Sequence, residues 1–452
     1  MNVVFLFSDE HSASAIGCAG HPVVQTPHLD RLAAQSYHFD NAYCNSPICT
    51  PSRLSMLTGR YPHEIDAWDL GTIADPVRHR TWGHHLSSYE TVLCGRTHFN
   101  GPERKMAFTS RLLDDVPRWI NDSGSPPKRG PEARRGSNSH VSECGPGRHY
   151  HSTYDTLAAD FAVDYLTDRA HSKRDDPFLL YCGFVLPHFP LIAPPDFYDL
   201  YDPNSLDLPE TWNEPIERQH PIIQHHRWSW RNDIPPPEDV VRCATASYYA
   251  LITYLDNQIG RILDTIDNSS LRDDTVVVYT SDHGEMAGHH GIWQKQCFYE
   301  EAVRVPMLIR HPGDLSRNRI AQNVSLVDVL PTLLEIAQQD VPSELPGRSL
   351  LDIARSEPDR TDRTVFSEYH HMGMQDAGFM LKKGHHKLCH YVGSTPQLFN
   401  VANDPLENHD LATDPSHQAT LTDLDTALRD LINPEVVNER CKQNQADRRL
   451  PV

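Results

Sequence analysis

The sequence has no apolar run long enough to cross a bilayer, no Cys-x-x-Cys pair, no internal repeat and no excess of positive charge. Each absence excludes something. A membrane-spanning helix is not expected. The ten cysteines are scattered, and their simplest reading is as free thiols in a reducing compartment. A net charge of −20 argues against nucleic acid as substrate or partner. It also requires any anion site to be assembled locally, from Arg, Lys, His and metal. The opening Met1-Asn2-Val3-Val4-Phe5-Leu6-Phe7 is too short and too uncharged for a signal peptide and reads as a strand that starts at once. The expected location is therefore cytoplasmic, with no membrane partner.

What is present suffices for a large fold. At 452 residues and 38% hydrophobic content the chain can bury one large α/β domain and a smaller second one. The histidines number 28, and the pairs His84-His85, His225-His226 and His385-His386 fall in polar, loop-like runs where surface positions are expected. Two continuous apolar runs, Val3 to Phe7 and Thr275 to Thr280, read as strands of a parallel sheet covered on both faces. Each ends in acids, as Ser8-Asp9-Glu10 and Ser281-Asp282-His283-Gly284-Glu285. Sites in open α/β sheets gather at the carboxyl ends of strands. Taken alone, an acid there reads first as an ordinary turn or cap residue.

Thr26-Pro27-His28-Leu29-Asp30-Arg31-Leu32 predicts a helix capped by Thr26. Cys49-Thr50-Pro51-Ser52-Arg53, after the loop-like Asn45-Ser46-Pro47-Ile48, reads as the first turns of another, with Thr50 and Ser52 available as caps. Cys49 would then sit at a helix N-terminus, where free N–H groups favour negative charge, with Arg53 one turn on. Such a cysteine is either a low-pKa nucleophile or an inert buried thiol. Thr91 to Phe99 reads as a short strand whose Arg96 and His98 share a face, toward a site or toward solvent. Another strand, Pro177 to Phe184, closes in Leu186-Pro187-His188-Phe189-Pro190, where the two prolines hold His188 rigidly, in a structural or a binding role.

The rest of the chain is read more coarsely. A shift to Ser, Gly, Pro, Arg and His from Asn121 to His151 predicts a long loop. Leu157 to Leu166 is helical in pattern, and Leu251, Leu255, Ile259, Ile262 and Ile266 predict a core-facing helix. Trp212, Trp228 and Trp230, in a run rich in Pro and His, could cradle a quaternary ammonium or an aryl ring, or merely anchor loops. Residues 1–350 are assigned to the main domain, and the Pro/Arg-rich run 340–363 resembles a linker. A small antiparallel sheet plus a helix is expected over 360–440, with 441–452 as a polar tail or oligomer contact.

The twelve residues Cys49 to Arg60, with Cys, Pro, Ser, Arg and then Thr58-Gly59-Arg60 in register, resemble the signature of the type I sulfatases of the alkaline phosphatase superfamily. The run from Ser281 to Pro306, including Lys295, resembles the same family, as do Arg96-Thr97-His98 and Pro187-His188-Phe189-Pro190. The nearest branches are the choline sulfatases and phosphonate monoester hydrolases, which carry His where His283 stands. The resemblance implies an alkaline phosphatase-like fold, with a large, mostly parallel mixed sheet flanked by helices. It implies that Cys49 is converted by a formylglycine-generating enzyme to formylglycine, whose hydrated aldehyde is the nucleophile. Asp9, Asp282 and His283 become ligands of one divalent metal ion, Ca²⁺ or Mn²⁺. Glu10 departs from the family's Asp-Asp or Asp-Gln, and is either a longer ligand or a residue that only faces the site.

By the same resemblance Arg53 holds the deprotonated hydrate, and Arg96, His188 and Lys295 neutralise the sulfate oxygens. Lys295 or His188 protonates the leaving oxygen, and His98 acts as base when the second hydroxyl loses its proton. Arg96 replaces the family's Lys, keeping charge but not shape. Phosphonate monoester hydrolases carry uncharged residues at positions 96 and 98, so Arg96 and His98 favour sulfate. The expected activity is hydrolysis of a small-molecule sulfate ester by a homo-oligomer. The alternatives are a phosphonate monoester hydrolase or phosphodiesterase using the same site, and a non-catalytic binder of sulfated ligands.

Overall fold

Alternation along the first strand sets the architecture. Val3, Phe5 and Phe7 belong to one buried cluster and Val4 and Leu6 to another, so the sheet they enter is covered on both faces. The computed structural model describes residues 1–116, 128–172, 174, 176–314, 319–356 and 363–449. Its strands, in chain order, are β1 (Asn2–Asp9), β2 (Tyr37–Tyr43), β3 (Glu90–Gly95), β4 (Ser110–Leu113), β5 (Cys144–Pro146), β6 (Phe178–Pro187), β7 (Leu191–Ala193) and β8 (Thr275–Ser281). They continue with β9 (Arg304–Val305), β10 (Met307–Arg310), β11 (Arg319–Ser325), β12 (Thr364–Tyr369), β13 (Gly378–Lys383), β14 (His386–Tyr391) and β15 (Gln397–Asn400).

Among the described residues the main sheet has nine strands, in the order β11-β2-β10-β8-β1-β6-β3-β4 with β9 beside β2. Its centre, β8-β1-β6-β3, is parallel throughout, and β10 runs antiparallel. Helices Tyr150–His171 and Glu238–Asp267 cover one face; Val329–Ile336 and Leu350–Arg355 lie on the other. Strands β12 to β15 form a separate antiparallel sheet. Helices Gln418–Leu431 and Pro434–Asp447 supply Leu424, Leu428, Val437 and Cys441 to its core. This is the expected α/β architecture. No helix among the described residues is long and apolar enough to cross a membrane.

Several local expectations are corrected. Thr26 does not cap its helix. It accepts from Gly17 N, and the carboxylate of Asp256, on the long helix, takes the His28 and Leu29 N–H groups at 3.1 and 2.7 Å. The predicted long loop 121–151 holds a helical turn, Ser139–Ser142, and β5, which pairs with β7; Ser123 to Pro127 lie outside the described residues. The presumed linker contains the Leu350–Arg355 helix, whose leucines join the main core, and residues 357–362 lie outside the described residues. Cys441 begins no tail, because the Pro434–Asp447 helix buries it; 450–452 lie outside the described residues. His226 is fully buried, because its helix turns it inward toward Trp230, whereas His385 is exposed.

A buried polar cluster ties β12 to the turn Pro62–Glu64 that follows the Cys49–Thr58 helix. Glu368 of β12 accepts from His63 N at 2.9 Å and His63 Nδ1 at 2.8 Å, and its other oxygen meets His370 Nε2 at 2.7 Å. Burial opposes ionisation at both ends, but His63 and His370 hold Glu368 down to about 2, and Glu368 lifts His63 above its ordinary value. The carboxylate's contribution is complete above its unfolded value of 4.5 and is lost as the pH falls toward 2. That of His63 is complete below 6.5 and is lost as the pH rises through its raised value. Glu368→Gln should therefore lower Tm most between about pH 5 and 6, with the gap to wild type closing toward about pH 3. A gap that does not change with pH would refute this role.

Candidate active site

The registry of four parallel strands builds the site. Ser8 pairs with Ser281, so Asp9 at the end of β1 lies beside Asp282, the residue after β8. Asp9 pairs with Pro187 across β6, which brings His188 to the same level. Gly95 of β3 pairs with Gly183, and the next residue, Arg96, donates its N–H to Gly183 O at 2.9 Å. Glycine is required at both places. A Cβ on Gly95 (φ 82°) would lie 2.3 Å from Gly183 O, and one on Gly183 would lie 2.0 Å from Arg96 O.

Cys49 opens the helix Cys49–Thr58, as expected, but neither Thr50 nor Ser52 caps it. Thr50 Oγ1 is buried without a hydrogen-bond partner, and Ser52 Oγ instead donates to Asp282 O at 2.5 Å, tying the helix start to the end of β8. One turn on, the buried Arg53 donates from Nη2 to Asp9 Oδ2 at 2.9 Å and from Nε to Asp282 Oδ2 at 2.8 Å. Burial alone would raise the Asp9 carboxyl, yet Arg96 and Arg53 hold it well below the usual carboxylate range. Burial, reinforced by Asp9, pushes the Cys49 thiol up. This burial works against the low-pKa reading based on the helix N-terminus alone.

With the Oδ2 atoms taken by arginine, the Oδ1 atoms of Asp9 and Asp282 face His283 Nε2 at 3.8 and 3.6 Å. Cys49 Sγ lies 3.2 Å from that same nitrogen and 3.8 Å from Asp9 Oδ1. His283 Nδ1 donates to Gly284 O at 3.1 Å, which fixes the tautomer and leaves the Nε2 lone pair pointing into the group. Burial lowers this histidine to about 4. The four donor atoms are buried and lie within 4.8 Å of one another. Two carboxylate oxygens and an imidazole lone pair converging in this way fit a divalent cation, which their mutual repulsion favours.

Glu10 turns away from this group. Its backbone is left-handed (φ 69°), its N–H donates to Asp282 Oδ1, and its Oε2 accepts from Lys295 Nζ at 2.8 Å, with His188 Nε2 at 3.4 Å. Asp9, Glu10 and His188 form a second, bordering convergence. Burial raises Glu10 well above the carboxylate range, with Lys295 opposing and Glu285 adding to it. His188 donates from Nδ1 to Phe189 O at 2.7 Å and stacks on the Phe189 ring.

Arg96 bonds Asp9 Oδ2 through Nε at 2.5 Å and donates from Nη2 to His98 Nδ1 at 3.2 Å. A guanidinium cannot accept, so the His98 proton sits on Nε2. The base role that the resemblance gives His98 thus requires this bond to be broken. Burial and Arg96 lower His98 to about 3.

All ten anticipated residues meet in one place. Three that position them were not singled out. Asp115 takes the N–H groups of Thr97 and His98 and so shapes the Arg96–His98 loop. Glu285 accepts from Ala287 N and Gln294 N, orienting the segment that carries Lys295. Tyr181 OH donates to Arg96 O at 3.0 Å and meets Arg53 Nη1 at 3.2 Å. Asp115 carried a usable signal, since it follows Leu112-Leu113 as Asp9 follows its own apolar run.

Residues 1–339 match the family model described as Sulfatase, and residues 288–434 match N-sulphoglucosamine sulphohydrolase, C-terminal. The chain is 30% identical to a choline-sulfatase of Rhizobium meliloti (strain 1021), over 95% of this chain and 86% of the relative. It is 28% identical to arylsulfatase K of Mus musculus, over 96% and 79%. Among solved structures, a phosphonate monoester hydrolase from Silicibacter pomeroyi shares the fold with a TM-score of 0.77, at 22% identity and 94% coverage of each chain.

Because Arg53 neutralises two buried carboxylates, Arg53→Ala should cost about 3–5 kcal/mol in urea melts of metal-free protein. Arg53→Lys should cost less, since it keeps the charge but not the fork. Added Mn²⁺ or Ca²⁺ should recover part of the Arg53→Ala loss by binding the folded state. A loss under about 1 kcal/mol would place the neutralising charge elsewhere.

Proposed function

The chain belongs to the sulfatase family, and from that membership we propose that it hydrolyses a small organic sulfate ester through a formylglycine made from Cys49. In this reading a formylglycine-generating enzyme matures the chain, and Asp9, Asp282 and His283 hold one divalent cation. The observation that carries it is the place of Cys49 Sγ, 3.2 Å from His283 Nε2 and 3.8 Å from Asp9 Oδ1, inside the donor group rather than beside it. An oxygen at that position would join two carboxylates and an imidazole, a set that suits Ca²⁺ and, through the imidazole, Mn²⁺.

When bound, the cation supplies Lewis acidity toward a sulfate oxygen and favours an ionised hydroxyl at position 49. The formylglycine hydrate supplies two hydroxyls on one carbon, so that no water need attack the ester. Arg53 fixes which oxygens of Asp9 and Asp282 face the site. Lys295 spends one N–H on Glu10 and keeps two for sulfate oxygens and the leaving group. It fits the proton-donor role better than His188, whose Nδ1–H is committed to Phe189 O. Arg96 adds fixed positive charge beside Asp9. Glu10 is proposed as the partner that positions Lys295, not as a metal ligand.

Mass spectrometry of the Cys49 peptide after co-expression with a formylglycine-generating enzyme should show the aldehyde. The matured, Mn²⁺- or Ca²⁺-loaded enzyme should prefer 4-nitrophenyl sulfate to an aryl phosphonate monoester in kcat/KM. Chelation should abolish turnover, and Lys295→Met should lower kcat by about 100-fold or more. A thiol that persists at Cys49 would favour the non-catalytic binder. Preference for the phosphonate would favour the phosphonate monoester hydrolase.

A further inference from the structure

Trp228 and Trp230, possible cradles for a quaternary ammonium in the sequence, are each faced by an arginine of the chain itself. Arg134 lies over Trp228 at 4.8 Å and is paired twice with Asp233, at 2.9 and 2.8 Å. Arg135 is different. Its guanidinium lies 5.8 Å from the Trp230 ring and 5.2 Å from the ring of Phe189. That second ring is part of the site, since His188 stacks on it at 4.1 Å and Lys295 Nζ lies 5.4 Å from its centre.

Arg135 is rigidly mounted. Its N–H donates to Ser229 O at 2.8 Å, and its carbonyl accepts from Arg231 Nε at 2.7 Å. Yet among the described residues no carboxylate forms an ion pair with it, and its buried Nη1 has no hydrogen-bond partner. The acids that act on it from a distance are Glu10 and Glu143, and Glu10 is already bonded to Lys295. Burial lowers its pKa, the mark of a cation without compensation. A partly desolvated guanidinium held between two rings is costly unless an anion arrives to meet its fork.

We propose that Arg135 is a specificity-determining residue that binds a second anionic group, a carboxylate or sulfate, on the organic half of the ester. This inference rests on the sulfatase reading above. The sulfate being cleaved would meet Lys295 and His188, which touch the Phe189 ring, and the second anion would meet Arg135, which touches the same ring. A cationic substrate such as choline sulfate would be disfavoured, because the guanidinium both repels it and occupies the aromatic faces that would hold it.

The test is kcat/KM of the matured wild type on phenyl sulfates substituted, in separate meta and para series, with carboxylate, sulfonate, carboxamide or trimethylammonium. In at least one series a carboxylate or sulfonate should exceed the neutral carboxamide by about tenfold or more, and trimethylammonium should fall below it. The comparison of carboxylate with sulfonate tells which anion fits. Arg135→Gln should bring the anion-to-carboxamide ratio to about one, with Arg135→Lys restoring part of it. Equal rates across the charges, a preference for the cation, or a preference that survives Arg135→Gln would overturn the inference while leaving the sulfatase reading intact. If the neutral carboxamide ester and 4-nitrophenyl sulfate are not cleaved at all, the sulfatase reading fails and takes the inference with it.

Discussion

The site depends first on the fork of Arg53, which bridges two carboxylates buried side by side, with Arg96 as a second cation on Asp9. The Arg53 fork reaches Asp9 with one nitrogen and Asp282 with another, which a lysine could not do. The bond directions matter as much as the charge. By occupying both Oδ2 atoms, Arg53 leaves both Oδ1 atoms facing His283 and Cys49. The convergence of donor atoms is therefore an arginine geometry first. The helix that carries Arg53 also carries Cys49, so one short segment supplies both the clamp and the thiol within the donor group.

Around that clamp, charge is arranged against the trend of the whole molecule. The chain carries a net −20, but the site gathers Arg53, Arg96, Lys295 and, at its margin, Arg135. Each of the first three has a buried acid as partner: Asp9 and Asp282 for Arg53, Asp9 for Arg96, Glu10 for Lys295. Pairing lets these cations stay charged where burial alone would discharge or exclude them. It also holds them still, so that little reorganisation is needed when a sulfate group enters. Arg135 is mounted on backbone hydrogen bonds instead, and among the described residues its buried Nη1 has no hydrogen-bond partner.

Legibility followed locality. Asp9, Asp282 and His283 stood out at strand ends, and Cys49 and Arg53 at a helix start one turn apart, but their roles came only from the family resemblance. Glu10 was open in the sequence, and its left-handed backbone, invisible in composition, turned its carboxyl to Lys295. Thr26 and Asp256 show the limit from another side. Thr26 has the spelling of a cap, yet an acid 230 positions away in sequence takes the N–H groups, because the packing of two helices puts it closer. Asp115, Glu285 and Tyr181 act by holding other residues, and nothing in their local sequence says which residue they will hold.

The sequence by itself determined the strands that end in acids, the helix start at Cys49, the family resemblance and the α/β class, all of which are written in runs of neighbouring residues. Tertiary structure alone decided which oxygen of each aspartate faces His283, that Glu10 meets Lys295, that Trp228 and Trp230 are each faced by an arginine, and that among the described residues Arg135 has no carboxylate in an ion pair. The reason is physical. Hydrophobic periodicity is a local property of the chain, whereas a hydrogen-bond direction in a buried site is fixed only when strands distant in sequence come into register.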